Sequence, residues 1–166
     1  MTDHEWIERE LDRVNPDRLE MDNDGDMEDM RTLVLEQRDR LQSISVAAQL
    51  LQAACHGASF DAGWWVSPKT GVDTRDNPMC FSQKLCLIHS EISEAMEGDR
   101  KNLMDDKLPH RQMREVELAD AVIRIFDLAG AYGMDLGGAI AEKMAFNAQR
   151  PDHKIANRQA DGGKAY

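Results

Sequence analysis

The sequence predicts an all-α fold, and two observations lead to that class. Alanine, leucine, methionine, glutamate and glutamine recur at helical spacing along the chain. Sustained alternation of β-branched residues, which is typical of strands, is nearly absent. The length of 166 residues fits one compact domain with room for an extension. We therefore expect a helix bundle that carries an additional N-terminal segment.

The first part of the chain is expected to contain one short and one long helix. A short helix is predicted over residues 3–14, because an Asn-Pro pair ends its pattern and an acidic connector follows. A long helix is predicted over residues 27–56, where leucine, isoleucine and alanine share one face. We expect residues 1–26 to form an extension and acidic linker, residues 27–151 a helical domain, and residues 152–166 a polar tail.

The rest of the domain is expected to consist of one long loop and three helices. Residues 57–78 are rich in Gly, Pro, Asp and Thr, and this segment is too long for an idle connection in a bundle. The three helices are predicted over residues 79–100, 111–131 and 135–149. Gly130 or Gly133 is expected to close the helix 111–131, and an Arg-Pro pair stops the last helix.

The charge and the cysteines exclude several classes of protein. The formal net charge is −11, from 31 acidic against 20 basic residues, so the chain would repel the phosphate backbone of a nucleic acid. No segment approaches the roughly 18 consecutive apolar residues of a membrane helix. The three cysteines form no Cys-x-x-Cys pair, and their odd number suits a reducing compartment. We expect a cytoplasmic protein without nucleic-acid or membrane partners.

Two acidic pairs at helical spacing are the main chemical signal. Glu91 and Glu94 lie three residues apart in one predicted helix, and Glu117 and Asp120 repeat this spacing in the next. The short polar loop between the two helices favours an antiparallel arrangement, which brings the pairs opposite each other. Four facing carboxylates repel when partly buried unless cations neutralise them, and oxygen ligands favour Mg²⁺ or Mn²⁺. A solvated acidic face is the alternative interpretation.

A stripe of polar and basic residues on the last helix complements these acids. Lys143, Asn147 and Arg150 follow the spacing i, i+4, i+7 and share one helix face. Such a face is suited to binding phosphate oxygens, although a solvated surface explains the same spacing. Together with the acidic pairs, this stripe predicts a site for a polyphosphate.

Paired tryptophans in the long loop are the candidate base-binding residues. Trp64 and Trp65, with Phe60 nearby, offer a stacking surface for a nucleobase. Burial of the indoles over the core is the alternative, and it is at least as common.

The motifs resemble a known family. "EISEAMEGD", then "ELAD", then "KMAFNAQR" are similar to the signature of the MazG-type nucleotide pyrophosphohydrolases, which belong to the all-α NTP pyrophosphatase superfamily. The match covers roughly residues 80–151. The resemblance implies a four-helix bundle that forms a homodimer or homotetramer. It also implies hydrolysis of a nucleoside triphosphate between the α and β phosphates, which yields a monophosphate and pyrophosphate in nucleotide-pool control.

The resemblance assigns roles to particular residues. The magnesium ligands are expected to be Glu91, Glu94, Glu117 and Asp120. The phosphate-binding residues are expected to be Lys143, Asn147 and Arg150. Glu94 is the candidate for positioning the attacking water. Ser90 departs from the family, since many members carry an acid there, and this leaves the number of metal ions open.

Two other functions remain open from the sequence. The same chemistry suits phosphoribosyl-ATP or a guanosine alarmone, because the pyrophosphate-binding residues would be shared. A non-enzymatic helical module for oligomerisation or as an adaptor is a different class, in which the acidic stripes only provide solubility. That class predicts no effect of magnesium on thermal stability.

Overall fold

A computed structural model describes residues 24–162 of the chain. The described residues form α-helices and contain no β-strand, which confirms the predicted all-α class. The helices are α1 (Asp24–Asp61), α2 (Cys80–Lys101), α3 (Met113–Ala131), α4 (Leu136–Gln149) and the short α5 (Ile155–Gln159). Within the described part, no helix combines the length and the apolar character that crossing a membrane requires. The predicted helix 3–14 lies outside the described residues.

The described chain divides into two compact units. One unit comprises residues 47–137 and holds the end of α1, the loop after it, α2 and α3. The other comprises the described residues before 47 and after 137, with the beginning of α1, nearly all of α4, and α5. The predicted domain 27–151 and its arrangement as a four-helix bundle stay predictions.

α1 extends beyond its predicted end at residue 56. Gly57 does not stop the helix, since the backbone continues in helical conformation to Asp61. The chain leaves the helix at Gly63, whose φ of 79° lies in the left-handed region that glycine adopts at low cost. The Trp64 N–H donates to the Ser59 carbonyl at 3.1 Å, which closes a Schellman motif.

The core of the unit 47–137 forms where the loop after α1 folds back onto α2 and α3. Its buried members are Trp65, Cys80, Leu128 and Ala131, with Phe81 and Ile88 packed against them. α1 approaches α3 closely at Gly130, where a Cβ atom would lie 2.5 Å from the His56 Cβ. Gly130 is therefore an internal packing residue of α3. Gly133, with a φ of 62°, closes the helix as one of the two predicted alternatives.

α2 and α3 form an antiparallel pair. Gly98 of α2 lies beside Met113 at the start of α3, whereas Lys84 near the start of α2 lies beside Asp127 near the end of α3. Gly98 permits the close approach, because a Cβ atom there would come within 2.9 Å of the Met113 Cβ. The two helices therefore face each other along most of their length, as the sequence predicts.

α4 and the segment after it complete the second unit. α4 ends at Gln149, just before the predicted Arg-Pro stop, and a 3-10 turn over Pro151–His153 follows. α5 is a helix that the sequence does not predict, since it falls in the expected polar tail 152–166. Its Asn157 side chain donates to the Pro151 carbonyl at 2.7 Å, which ties the short helix to the turn.

Candidate metal centre

Three acidic side chains converge between α2 and α3. Glu91, Glu117 and Asp120 each offer one carboxylate oxygen, and these atoms all lie within 4.8 Å of one another. Glu91 and Glu117 are buried at 6% and 9% exposure, while Asp120 is more accessible. The structure thus brings together three of the four acids that the sequence predicts as ligands.

Small residues make room for these carboxylates between the two helix backbones. On α2, Glu91, Ala95 and Gly98 are all buried and follow the spacing i, i+4, i+7 of one helix face. On α3, Glu117 and Ala121 share the buried face in the same way. Larger side chains at the alanine and glycine positions would hold the helices further apart and separate the carboxylates.

Glu94 lies at the edge of the centre. Its side chain is exposed one turn beyond Glu91, and its charge helps to raise the pKa of Glu117. It is not one of the three acids with converging oxygens. Its predicted role as a metal ligand and in positioning water stays a prediction.

Burial and neighbouring negative charges raise the pKa values of two acids in the centre. Burial raises the pKa of Glu117 from 4.5 to about 7, with further contributions from a hydrogen bond with Glu91 and from the charges of Glu94, Glu91 and Asp120. Burial and the charge of Glu91 also raise the pKa of Asp120. A proton shared among three carboxylates relieves part of their mutual repulsion. A divalent cation would relieve more of it, because it carries two positive charges.

One cation contacts the cluster directly. The Arg124 Nε atom lies 2.7 Å from Glu91 Oε1, and the Arg124 charge opposes the rise in the pKa of Asp120. The Glu91 side chain is 8% exposed and the Arg124 side chain 42% exposed. The ion pair therefore joins a buried carboxylate of the centre to a guanidinium at its solvent-exposed edge.

The residue that departs from the family motif is turned towards its own helix. The Ser90 hydroxyl donates to the Leu87 carbonyl at 2.7 Å, one turn earlier in α2. Such back-bonding is common for serine within helices. In this position the hydroxyl does not replace the acid that many MazG-type proteins carry there.

Asp105 is an acid near the centre that sequence reasoning missed. It is 5% exposed in the loop between α2 and α3, and its Oδ1 accepts the N–H groups of Lys107 at 3.0 Å and Leu108 at 2.6 Å. Its charge contributes to the raised pKa of Asp120. The signal available in the sequence was an aspartate placed to cap a turn, a pattern that indicates local structure and not proximity to a metal.

Trp65 lies in the core and Trp64 on the surface, within the turn that follows the first long helix. Trp65 is 1% exposed and its indole Nε1 donates to Asp127 Oδ1 at 2.7 Å, so it offers no face for stacking a nucleobase. Trp64 is 70% exposed. The predicted stacking surface is therefore reduced to Trp64.

Asp127 holds together α1, α2, α3 and the loop that carries Trp65. Besides Trp65, His56 Nδ1 lies 3.0 Å from Asp127 Oδ1, and Lys84 Nζ lies 4.0 Å from Oδ2. Lys84 also stands over the Trp65 ring, 4.2 Å from its centroid. These contacts satisfy a buried carboxylate and explain why Asp127 takes part in packing and not in the centre.

The predicted phosphate-binding stripe belongs to the other unit. Lys143 Nζ lies 4.8 Å from the centroid of the Phe146 ring, and Arg150 forms an ion pair of 2.6 Å with Asp152. The Asn147 side-chain oxygen is buried without a hydrogen-bond partner among the described residues. The role of these three residues in phosphate binding stays a prediction.

Fold and site together define a helical protein with a partly buried carboxylate cluster between two antiparallel helices. Comparisons of the chain with protein-family models, with curated proteins and with solved structures found no match. The resemblance to the MazG-type enzymes accordingly rests on the motifs of this sequence.

Proposed function

We propose that the protein is a magnesium-dependent nucleoside triphosphate pyrophosphohydrolase. One observation carries the proposal: Glu91, Glu117 and Asp120 present oxygens within 4.8 Å of one another from two successive helices. Carboxylate oxygens are the ligands that Mg²⁺ and Mn²⁺ prefer, and Mg²⁺ sites in phosphoryl-transfer enzymes combine a few carboxylates with substrate phosphates and water. The motif resemblance supplies the reaction, which is cleavage between the α and β phosphates.

The donor set fits a hard divalent cation. Two of the three acids are buried, and the pKa of Glu117 is raised to about 7, so a cation bound there would compete with protons for these carboxylates. Arg124 adds one positive charge, in close contact with Glu91 and with a weaker effect on Asp120, to a cluster of three carboxylates. The remaining charge favours a doubly charged ion over a monovalent one.

Different side chains would bind the metal ion, orient the water and contact the base. Bound Mg²⁺ supplies charge neutralisation for the phosphates and lowers the pKa of a coordinated water. Glu91, Glu117 and Asp120 would hold the ion, while the exposed Glu94 accepts a hydrogen bond from the attacking water and orients it. Trp64 would stack on the base.

The phosphate-binding stripe and the homo-oligomeric state are further parts of the proposal. Lys143 and Asn147 of α4, and Arg150 directly after its end, would contact the outgoing phosphates. Self-association is supported by apolar side chains that are exposed at helical spacing on both α2 and α3. These are Leu85, Ile92 and Met96 on α2, and Leu118, Val122 and Ile125 on α3.

The decisive experiment is pyrophosphate release from a panel of ribonucleoside and deoxyribonucleoside triphosphates, phosphoribosyl-ATP and a guanosine alarmone, with Mg²⁺ or with chelator. Asp120→Asn should abolish turnover and the magnesium-induced rise in Tm, because ligand binding stabilises the native state by mass action. At a hundredfold excess over Kd that rise corresponds to about 2.7 kcal/mol. Asp99→Asn is the matched control, since Asp99 is exposed and pairs with Arg114.

The panel also separates the alternatives. Hydrolysis of phosphoribosyl-ATP or of the alarmone alone would keep the chemistry and replace the substrate. Absence of turnover across the whole panel, together with a Tm that Mg²⁺ does not change, would contradict the proposal and favour the adaptor module.

A further inference from the structure

The basic side chain of Arg124 lies at the rim of the carboxylate cluster. Arg124 lies one turn beyond Asp120 on the same helix, and its Nε atom is 2.7 Å from Glu91 Oε1. Glu91 is one of the three converging acids. A basic side chain thus occupies the edge of a centre whose acids are arranged for a cation, where it reduces the attraction for a metal ion.

The Arg124 side chain is partly exposed at the carboxylate cluster. Its Nε atom, which lies near Glu91, is buried and has no hydrogen-bond partner among the described residues, so this contact is an ion pair and not a hydrogen bond. A guanidinium carries five N–H donors in a planar fork. The side chain as a whole is 42% exposed. Arg124 is therefore anchored beside a buried carboxylate and retains donor capacity for a ligand at the mouth of the centre.

The other cations of α2 and α3 are committed elsewhere. Lys84 lies over the Trp65 ring and 4.0 Å from Asp127, and its side chain is 20% exposed. Arg114 forms an ion pair with the exposed Asp99. Among the ion pairs of the described residues, Arg124 is the basic residue whose partner is one of the three converging acids. It is the cation of these helices best placed to act with a metal bound there.

We propose that Arg124 binds a phosphate group of a polyphosphate substrate at the carboxylate centre. The inference rests on the proposed function and names a further binding residue for it. A divalent ion held by Glu91 would weaken the ion pair, because the two cations compete for one carboxylate. The guanidinium can then bind phosphate oxygens in the bidentate manner for which its planar fork is suited.

The experiment measures binding of inorganic pyrophosphate and of tripolyphosphate in the presence of Mg²⁺, by calorimetry on the full chain. Arg124→Gln should weaken both by about ten- to a hundredfold, which is the contribution of charge-assisted hydrogen bonds. Arg124→Lys should recover part of the affinity, since it keeps the charge without the fork. Arg114→Gln is the matched control with the same change of charge on the same helix, and it should bind like the wild type.

A second titration with Mg²⁺ alone separates the possible failures. Arg124→Gln should retain Mg²⁺ or bind it more tightly, because a competing cation has been removed. Wild-type affinity for both phosphates in a variant that still binds Mg²⁺ would overturn the inference and leave the proposed function intact. Equal loss of Mg²⁺ and phosphate in Arg124→Gln and Arg124→Lys would also overturn it, since the arginine would then only support Glu91. A wild-type protein that binds no Mg²⁺ would refute the proposed function itself.

Discussion

At Glu117, burial and like charge act in the same direction. Its pKa rises from 4.5 to about 7, mainly because burial penalises the charged form and because Glu91 shares a hydrogen bond with it. Between these two pH values the native state binds more protons than the unfolded state. The contribution of Glu117 to the free energy of unfolding is therefore fully present below pH 4.5 and is lost as the pH rises through about 7.

Glu117→Gln should remove this dependence, because the amide resembles the protonated acid and cannot ionise. In the presence of chelator, the variant should have a higher Tm than the wild type above about pH 7, by at most about 3 kcal/mol in free energy of unfolding. Thermal melting from about pH 5 to about pH 8 measures the difference. Glu115→Gln is the control, since Glu115 is exposed on the same helix and pairs with Arg111. Identical pH profiles for the wild type and Glu117→Gln would contradict the assignment.

Some residues of the site were predictable because helix geometry alone places them. Glu91, Glu117 and Asp120 lie at spacings that fix their helix faces, and a short connection makes the two helices antiparallel. The fate of the tryptophans was not predictable in this way. The turn that follows α1 places Trp65 against Asp127 and leaves Trp64 exposed, and the local sequence pattern does not distinguish the two indoles.

At the scale of the helices, the distance between α2 and α3 decides whether the acids converge. Gly98 sets this distance at one end of the pair, where a Cβ atom would meet the Met113 Cβ at 2.9 Å and the Arg114 backbone nitrogen at 3.0 Å. Backbone atoms at such a distance cannot move without shifting the helix. Gly98 therefore influences the geometry of the centre, although it lies about two turns from Glu91 along α2.

Gly98→Ala should destabilise the protein by about 1–3 kcal/mol, as overpacking of a tight contact does. It should also weaken Mg²⁺ binding, because the added methyl group separates the two helices. Denaturant unfolding and calorimetric titration with Mg²⁺ measure the two effects. Gly57→Ala is the matched control, because Gly57 lies inside α1 with nothing within 4 Å of its Cβ position. It should stabilise the protein by up to about 1 kcal/mol. Unchanged stability and affinity in Gly98→Ala would contradict this account.

The ends of the helices show where local sequence determines structure and where it does not. Gly63, Asn102 and Gly133 all adopt positive φ and terminate α1, α2 and α3. Gly133 was one of two predicted ends, since both glycines of its segment satisfy the local pattern. The end of α1 was misplaced because the pattern does not distinguish Gly57, which the helix tolerates, from the glycine that terminates it.

For the whole molecule, net charge and exposed apolar surface have opposite effects on self-association. The net charge of −11 disfavours contact between copies, whereas screening by salt weakens this repulsion. Three apolar residues on each of α2 and α3 are exposed at spacings that align them along one helix face. They are 38–66% exposed, which is more apolar surface than scattered single residues account for.

A second copy of the chain is the occupant we expect for this surface. A two-fold axis between two copies would place the same apolar face of each chain against the other, which closes the dimer and makes the contact isologous. The wild type should therefore sediment as an oligomer, with tighter association at higher ionic strength because repulsion is screened.

Ile92→Glu and Val122→Glu should each shift the protein towards the monomer, because they place a charge in the apolar contact of both copies at once. Sedimentation equilibrium over a range of concentrations measures the mass. Val72→Glu is the matched control, since Val72 is 50% exposed in the loop after α1, outside the two helices. The dimer is contradicted if the wild type is monomeric at every concentration, or if all three variants retain its mass. If the monomeric variants still bind Mg²⁺ with wild-type affinity, each copy holds a complete carboxylate centre, as the position of all three acids within one chain predicts.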